Sequence, residues 1–459
     1  MAFERPAPVA QEREFGIGEL FFSTTDEKGI ITAGNAVFTR ISGYQQGELL
    51  GQPHNVIRHP DMPRCVFKLL WDYLGAGKPI AAYVKNMAKT GEYYWVTAFA
   101  VPVSGGFLSI RLKPTSPILA LMPTVYAELL EIEKEHERQG PAGKKPGMVA
   151  STNRLLAILK SKGFADYDAF MHTILVEEVR ARDAAIAALA AGAPPLVQVP
   201  STGRDQLSGA YQHCQVLQEE LERLFGNIAQ YQTLSSALTD KSKFVGNLAH
   251  AMQMLALNAT VEAGRLQRTG APLAVIAQWM GFNSSKLTSV TQSMSSFMAE
   301  VTSALRVAAF EAATAKLELQ TTTFFLNELI QQKAAGIDQD ISTRGNVTNL
   351  LSLITRTVRH VLDSTNSLND ELRRLDGDLE TLLKLIKTLG MIPITGKVEA
   401  VRLTDAEMFV GIFNEGLSLG NDARTQLEEL SRIIANVEGA TLDNTALERS
   451  MQSIEKVMQ

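Results

Sequence analysis

Only two cysteines, Cys65 and Cys214, occur in 459 residues, far apart and in no CxxC spacing. That scarcity excludes a disulfide framework and a cysteine-built zinc site, fits a reducing compartment, and leaves both thiols as small buried hydrophobes. An excess of one charge is missing too. With 44 basic against 49 acidic residues the net charge is −5, and no basic stripe stands ready to neutralise phosphates, so nucleic acid is not an expected partner. No run approaches the ~18–20 apolar residues that cross a bilayer. The opening "MAFERPAPVAQEREFG" lacks the apolar core of a signal peptide, so a cytoplasmic protein without a membrane span is expected. Nor is there a Ser/His/Asp set, a metal-ligand cluster, a phosphate loop or a pair of catalytic carboxylates. His136, His172, His213, His250 and His360 stand singly, and no enzyme activity is expected.

Three stretches of different character remain, and the apolar fraction of 45% is ample for their cores. After an N-terminal tail (1–18), residues 19–116 read as an α+β domain with an antiparallel sheet. "ELFFSTTDEKGIITAGNAVFTRISGY" gives a strand, a turn at Asp26 to Gly29, a short strand and a helix. "EYYWVTAFAVPV" and "GFLSIRLKP" read as strands joined at Gly105-Gly106. Residues 117–203 are helical but broken by "QGPAGKKPG" and "AGAPPLVQVPSTG", which read as linkers with no chemistry of their own.

From 204 to 459 prolines nearly vanish, leaving Pro272 and Pro393, and a seven-residue apolar beat appears. Leu217, Leu221, Leu224, Ile228, Tyr231, Leu238, Val245, Ala249 and Met252 carry it, and Leu273, Ile276, Met280, Leu287, Val290, Met294, Phe297 and Val301 continue it. "ATVEAGRL" at 259–266 returns as "GKVEAVRL" at 396–403, 137 positions on. The repeat implies helical arms over 209–265, 272–333, 342–401 and 406–458, each roughly 90 Å long at 1.5 Å per residue. They would reverse near Gly270 to Pro272 and Leu403 to Ala406. Two tandem hairpins cannot bury their seams alone, so the expected fold is mostly α after the sheet domain, with long antiparallel hairpins closing a four-helix coiled-coil bundle within one chain. Glu262 and Arg265 share a helix face, as do Glu399 and Arg402; as surface ion pairs they would contribute only tenths of a kcal/mol, about 0.3–0.5.

One short loop stands out. "NVIRHPDMP" (55–63) sets Arg58, His59 and Asp61 between apolar residues and prolines, in a segment too broken for a long helix.

The segment "MLALNATVEAGRLQRTGAPLAVIA" (254–277) resembles the cytoplasmic signalling tip of bacterial chemoreceptors, the methyl-accepting chemotaxis proteins. Leu255, Ala256, Leu257, Asn258, Ala259, Glu262, Ala263, Arg265, Gly270, Ala274, Val275 and Ala277 carry the match. The resemblance implies partners: a coupling adaptor, a chemotaxis histidine kinase and neighbouring chemoreceptors. The chain departs from the pattern at Gln253, Gly264, Leu266 to Arg268, Pro272 and Leu273, and its second copy has Pro393 and Thr395. Glu/Gln pairs suited to methylation are not evident.

The N-terminal domain resembles the PAS domain of aerotaxis (energy-taxis) receptors through "STTDEKGIITAGNAVFTRISGY", "GELLGQPHNVIRHPDMP", "GKP", "VKNMAKTGEYYWV" and "LSIRLKP". That family binds FAD noncovalently, and the resemblance implies that Asn35, Arg58, His59 and Asp61 line or support a flavin site. The family's Trp after the Gly-x-Pro turn is Ile80 here. Haem through His59 or His54, or no cofactor, are the other readings of the loop. The implied function is a cytoplasmic, bacterial chemotaxis and aerotaxis signal transducer that senses redox or oxygen status. The alternative is a scaffold or regulator that pairs with true chemoreceptors through its helical tips.

Overall fold

The computed structural model describes residues 6–138, 140–190, 206–335, 341–402, 407–441 and 444–458. The linker expected at 191–203 lies outside them. The described chain divides into two units. One draws on Met1–Glu222, Ala309–Val361 and Thr445–Gln459, the other on Arg223–Ala308 and Leu362–Asn444.

The first unit is built on a five-stranded antiparallel sheet. Strands β1 (Phe21–Asp26) and β2 (Ile31–Gly34) are followed by short helices α1 (Ala36–Ser42) and α2 (Gln46–Leu49), a 3-10 turn (His54–Ile57) and α3 (Arg64–Gly75). Then come β3 (Ile80–Met87), β4 (Tyr93–Val103) and β5 (Gly106–Leu112), in the spatial order β2-β1-β5-β4-β3. The β1–β2 turn forms because the Asp26 carboxylate accepts from the backbone N–H of Lys28 and Ile30, both at 2.9 Å. The α+β expectation holds, with β3 as one strand more than the aromatic runs announce. The expected tail is tied down: Arg13 N donates to Tyr93 O at 2.7 Å, its guanidinium pairs with Glu92, and Phe15 is buried.

Strand alternation gives the sheet two apolar faces. On the inner face Phe21 stacks against Phe38 of α1 at 6.3 Å. The outer face, bearing Phe22, Tyr83, Trp95 and Phe99, is covered by α4 (Met122–Glu137), α6 (Tyr167–Ala190) and part of a later helix. Tyr126 and Tyr167 donate to the carbonyls of Tyr83 and Ala81 at 2.8 and 3.1 Å. Between α4 and α6 lies α5 (Lys144–Ser161).

Of the stretch 139–147, expected as a linker, residues 140–143 instead form a close turn and 144–147 already belong to α5. The backbones approach so tightly that a Cβ on Gly143 would lie 1.8 Å from the His136 carbonyl, so glycine here serves packing rather than slack.

The long helices form as the apolar beat predicts: α7 (Gln206–Arg265), α8 (Ala271–Ala334), α9 (Ile341–Ala400), α10 (Glu407–Thr441) and α11 (Asn444–Met458). In the first unit Phe325 and Phe310 of α8 meet Phe22 and Phe99 of the sheet edge-on, at 5.1 and 6.4 Å. In the second, four arms close an antiparallel bundle within the chain. Lys241 on α7 reaches Glu429 on α10 at 2.7 Å, Ser431 on α10 donates to Asp376 on α9, and Gly281 on α8 lies against Ala256 on α7.

Leu248, Met252, Leu273, Met280, Leu375, Leu382, Phe413 and Leu427 are buried along the bundle seams. The first reversal falls at Leu266 to Gly270, earlier than expected. Pro272 sits in the first turn of α8, where its missing N–H costs nothing. The second, expected at Leu403 to Ala406, lies outside the described residues. Among the described residues the last arm comprises α10 and α11.

Candidate functional site

Between the inner face of the sheet, α3 and the 3-10 turn lies a cavity of 380 Å3. Its walls are mostly apolar, with Phe67, Leu70 and Trp71 from α3 facing Val84, Ala98 and Phe107 from the strands. Gly29, at φ +77°, admits the Trp71 ring, because a Cβ there would come within 2.8 Å of it. Trp71 meets Phe107 edge-on at 5.7 Å across this wall.

Polar groups are few and mostly cationic or amide. Arg58 ends the 3-10 turn, where its Nη2 donates to the Met62 carbonyl at 2.7 Å and its guanidinium stacks 4.1 Å over Phe67. Arg111 is 2% exposed; it donates to Ser23 Oγ at 3.0 Å and to His54 Nε2, and burial pushes its guanidinium down to about 10. Burial, reinforced by Arg111, lowers His54 well below the usual imidazole range, so the ring is neutral and its Nε2 accepts. The buried Asn86 amide also lines the cavity, and its Nδ2 has no hydrogen-bond partner among the described residues. No carboxylate is among the lining residues.

Of the four residues expected at a flavin site, Arg58 lines this cavity and the others stand behind it. Asn35 caps α1: its Oδ1 accepts from Phe22 N and Phe38 N at 3.2 Å, and its Nδ2 donates to Leu20 O at 3.1 Å. His59 is buried, its Nδ1 accepting from Asp61 N at 3.1 Å, and faces a neighbouring pocket. Asp61 is exposed and pairs with Lys85 at 2.6 Å. His54 Nε2 is taken up by Arg111 and Ser23, which leaves that nitrogen unsuited to haem ligation. Ile80 is buried at the start of β3, away from the lining.

Sequence reasoning missed Trp71, Asn86 and Arg111. The signal for Arg111 was present: in "LSIRL" the alternating strand positions put Ser109 and Arg111 on one face, opposite Leu108, Ile110 and Leu112.

At the helical tips Glu262 pairs with Arg265 at 2.6 Å and Glu399 with Arg402 at 3.2 Å, each arginine largely exposed. Leu257 and Asn258 are exposed beside the first pair. Met254, Leu257 and Val261 form an exposed apolar stripe, and 137 positions on, Met391, Ile394 and Val398 form another. The repeat therefore extends to surface residues that the bundle core does not require.

Residues 31–109 match the PAS fold family. Over 112 residues the chain is 44% identical to the aerotaxis receptor of Escherichia coli (strain K12), covering 23% of this chain; the match spans 22% of that relative's length. Among solved structures, a PAS domain from Colwellia psychrerythraea is 22% identical over 20% of this chain and 85% of its own, with a TM-score of 0.18. A light-oxygen-voltage domain studied with a flavin analogue is 20% identical over 26% of this chain and 89% of its own, with a TM-score of 0.20. No described helix is long and apolar enough to cross a membrane. The sheet and its short helices form a PAS domain.

Proposed function

We propose that the PAS cavity holds the ring of FAD and that the chain is a cytoplasmic redox- or oxygen-responsive transducer, acting with a chemotaxis histidine kinase and its coupling adaptor. The observation that carries this reading is the cavity lining: apolar walls, two buried or stacked arginines, an amide donor without a partner, and no carboxylate. That set suits a planar ring bearing carbonyls whose reduced form can carry negative charge. Similarity to an aerotaxis receptor supports it. Bound flavin supplies reversible electron uptake. Asn86 Nδ2 offers a hydrogen bond to a ring carbonyl, Arg58 is held in place by Met62 and Phe67, and Arg111 puts a fixed positive charge at the cavity wall.

The outer face of the same sheet supplies a route outward. Ala98 and Ala100 line the cavity, while Phe99 between them packs on Phe310 of α8. A strand shift that favours one cofactor state therefore bears directly on α8, which biases a helical equilibrium only as far as the two states differ in affinity for that shift. Leu257, Asn258, Glu262, Arg265, Glu399 and Arg402 would form the output surfaces.

The test is a UV–visible spectrum of the purified full chain, before and after dithionite. Flavin bands that bleach are expected. A Soret band would move the reading to haem, and a protein still colourless after FAD is offered would overturn it. In a kinase-coupling assay, substitution of Glu262 and Arg265 should abolish the response; an unchanged response would favour the scaffold reading.

A further inference from the structure

Three buried side chains of α8, Thr314, Glu318 and Thr321, are at most 3% exposed and have oxygens with no hydrogen-bond partner among the described residues. Spaced by four and three, they share one face of the helix. The neighbouring Thr322 and Thr323 behave differently: their hydroxyls donate back to the Glu318 and Leu319 carbonyls at 2.8 Å. A polar strip with no partner of its own therefore lies inside the first unit, and its one ionisable member is Glu318.

A carboxylate bare in an apolar interior is costly, so the neutral acid is the favoured form. Burial raises Glu318 to about 8; Thr357 and Arg356 of α9 oppose that rise, and Glu311 of α8 adds to it. Glu311 is itself raised by burial, with His360 of α9 opposing. Other charges around α8 have their own partners. Lys316, two positions from Glu318 and so on the opposite side of the helix, pairs with Asp183 of α6 at 2.6 Å. Arg182 of α6 donates to Gln320 and to the Ile17 and Gly18 carbonyls, and Arg359 of α9 pairs with Glu455 of α11.

Arg356, the cation that acts on Glu318, also holds the sheet. Its exposed guanidinium donates through Nη2 to the Pro102 carbonyl at 2.7 Å, near the end of β4. The same strand carries Ala98 and Ala100 in the cavity wall and Phe99 against Phe310 of α8. We infer that Glu318 is a proton-operated latch: with the proton bound, Arg356 stays on Pro102, and with the proton released to solvent, the carboxylate draws Arg356 away and frees the end of β4 from α9. A carboxylate outcompetes a neutral carbonyl for a guanidinium, because the charge-assisted bond is roughly twice as strong. Proton concentration thereby becomes a second input to the helices that touch the sensor sheet. The latch does not depend on which cofactor fills the cavity.

The experiment follows the purified full chain from pH 7 to pH 9 by infrared spectroscopy and by amide hydrogen exchange, in the wild type, Glu318→Gln and Arg356→Gln. At pH 7 the wild type should show the carbonyl stretch of a protonated buried carboxyl; Glu318→Gln should lack it. Corrected for the chemical exchange rate, protection of Val101 to Gly105 in the wild type should fall about tenfold by pH 9, one unit above the Glu318 titration. Glu318→Gln should keep its protection at both pH values. Arg356→Gln should keep the infrared band at pH 7 and exchange this segment equally fast at both. The latch is overturned if the wild type shows no such band at pH 7, or if its protection does not fall with pH. It is also overturned if either variant retains the wild-type pH dependence. The infrared arm needs only the wild type and remains decisive should a variant fail to fold.

Discussion

A buried ionisable side chain without an opposite charge is costly, and the first unit holds several, Arg111 and Glu318 among them. Arg111 lies in the PAS cavity wall. Glu318, on the part of α8 beneath the sheet, is fully buried, and neither carboxylate oxygen has a hydrogen-bond partner among the described residues. Burial pushes its carboxyl from the ordinary 4.5 up to about 8, against the weaker pull of nearby Thr357 and Arg356 and with Glu311 adding to the rise. The folded chain thus holds a proton on Glu318 that the unfolded chain has released. Its contribution to stability is complete below pH 4.5 and is lost as the pH rises through about 8. His54, depressed by burial, acts the other way and lowers stability only as the pH falls below about 6.5. Thermal melts from pH 7 to pH 9 should show the wild type losing stability relative to Glu318→Gln; parallel curves would mean that Glu318 is not protonated in the fold. Residues of this kind were not legible in the sequence. Arg58 stood out because its loop is short and proline-braced, whereas Arg111, Asn86 and Glu318 take their character from what packs around them.

At the scale of elements, the apolar beat located the long helices to within a few residues, because a coiled-coil seam is written along one helix. Helices α4 to α6 were harder, since what fixes them is far away in sequence. Glu178 stands beside Glu177 in the sequence of α6. It is in fact fully buried, and its carboxylate accepts from Tyr83 Oη, Ser116 Oγ and Thr115 N at 2.6 Å and from Ser116 N at 3.0 Å. One side chain of α6 therefore satisfies the outer face of β3 and the chain just after β5. In Glu178→Ala these buried donors lose their acceptor, which should cost on the order of 3 kcal/mol. A urea midpoint unchanged by that substitution would show that α6 is held by apolar contact alone. Limited proteolysis of the variant should cut first within 167–190, the α6 helix.

For the molecule as a whole, the 137-residue repeat is the feature read most fully from sequence, and the structure adds the exposed stripes to it. The physical point is where the partner of each seam comes from. A chemoreceptor-type hairpin needs a second chain to bury its apolar face, and folding is then tied to protein concentration. Here the α7–α8 hairpin meets the α9–α10 hairpin of the same chain, through Lys241 and Glu429 at 2.7 Å and through buried leucines on all four arms. Closing the bundle inside one chain converts association into loop closure, whose cost does not depend on concentration. The melting temperature, followed by helical circular dichroism, should therefore stay constant over about a hundredfold range of protein concentration, whereas a bundle completed by a second copy would melt higher as the solution is concentrated. A constant value would leave the two exposed stripes, centred on Leu257 and Ile394, as surfaces that folding does not use. A rising value would show that a second copy covers part of the chain, and the stripes would be the first place to look for it.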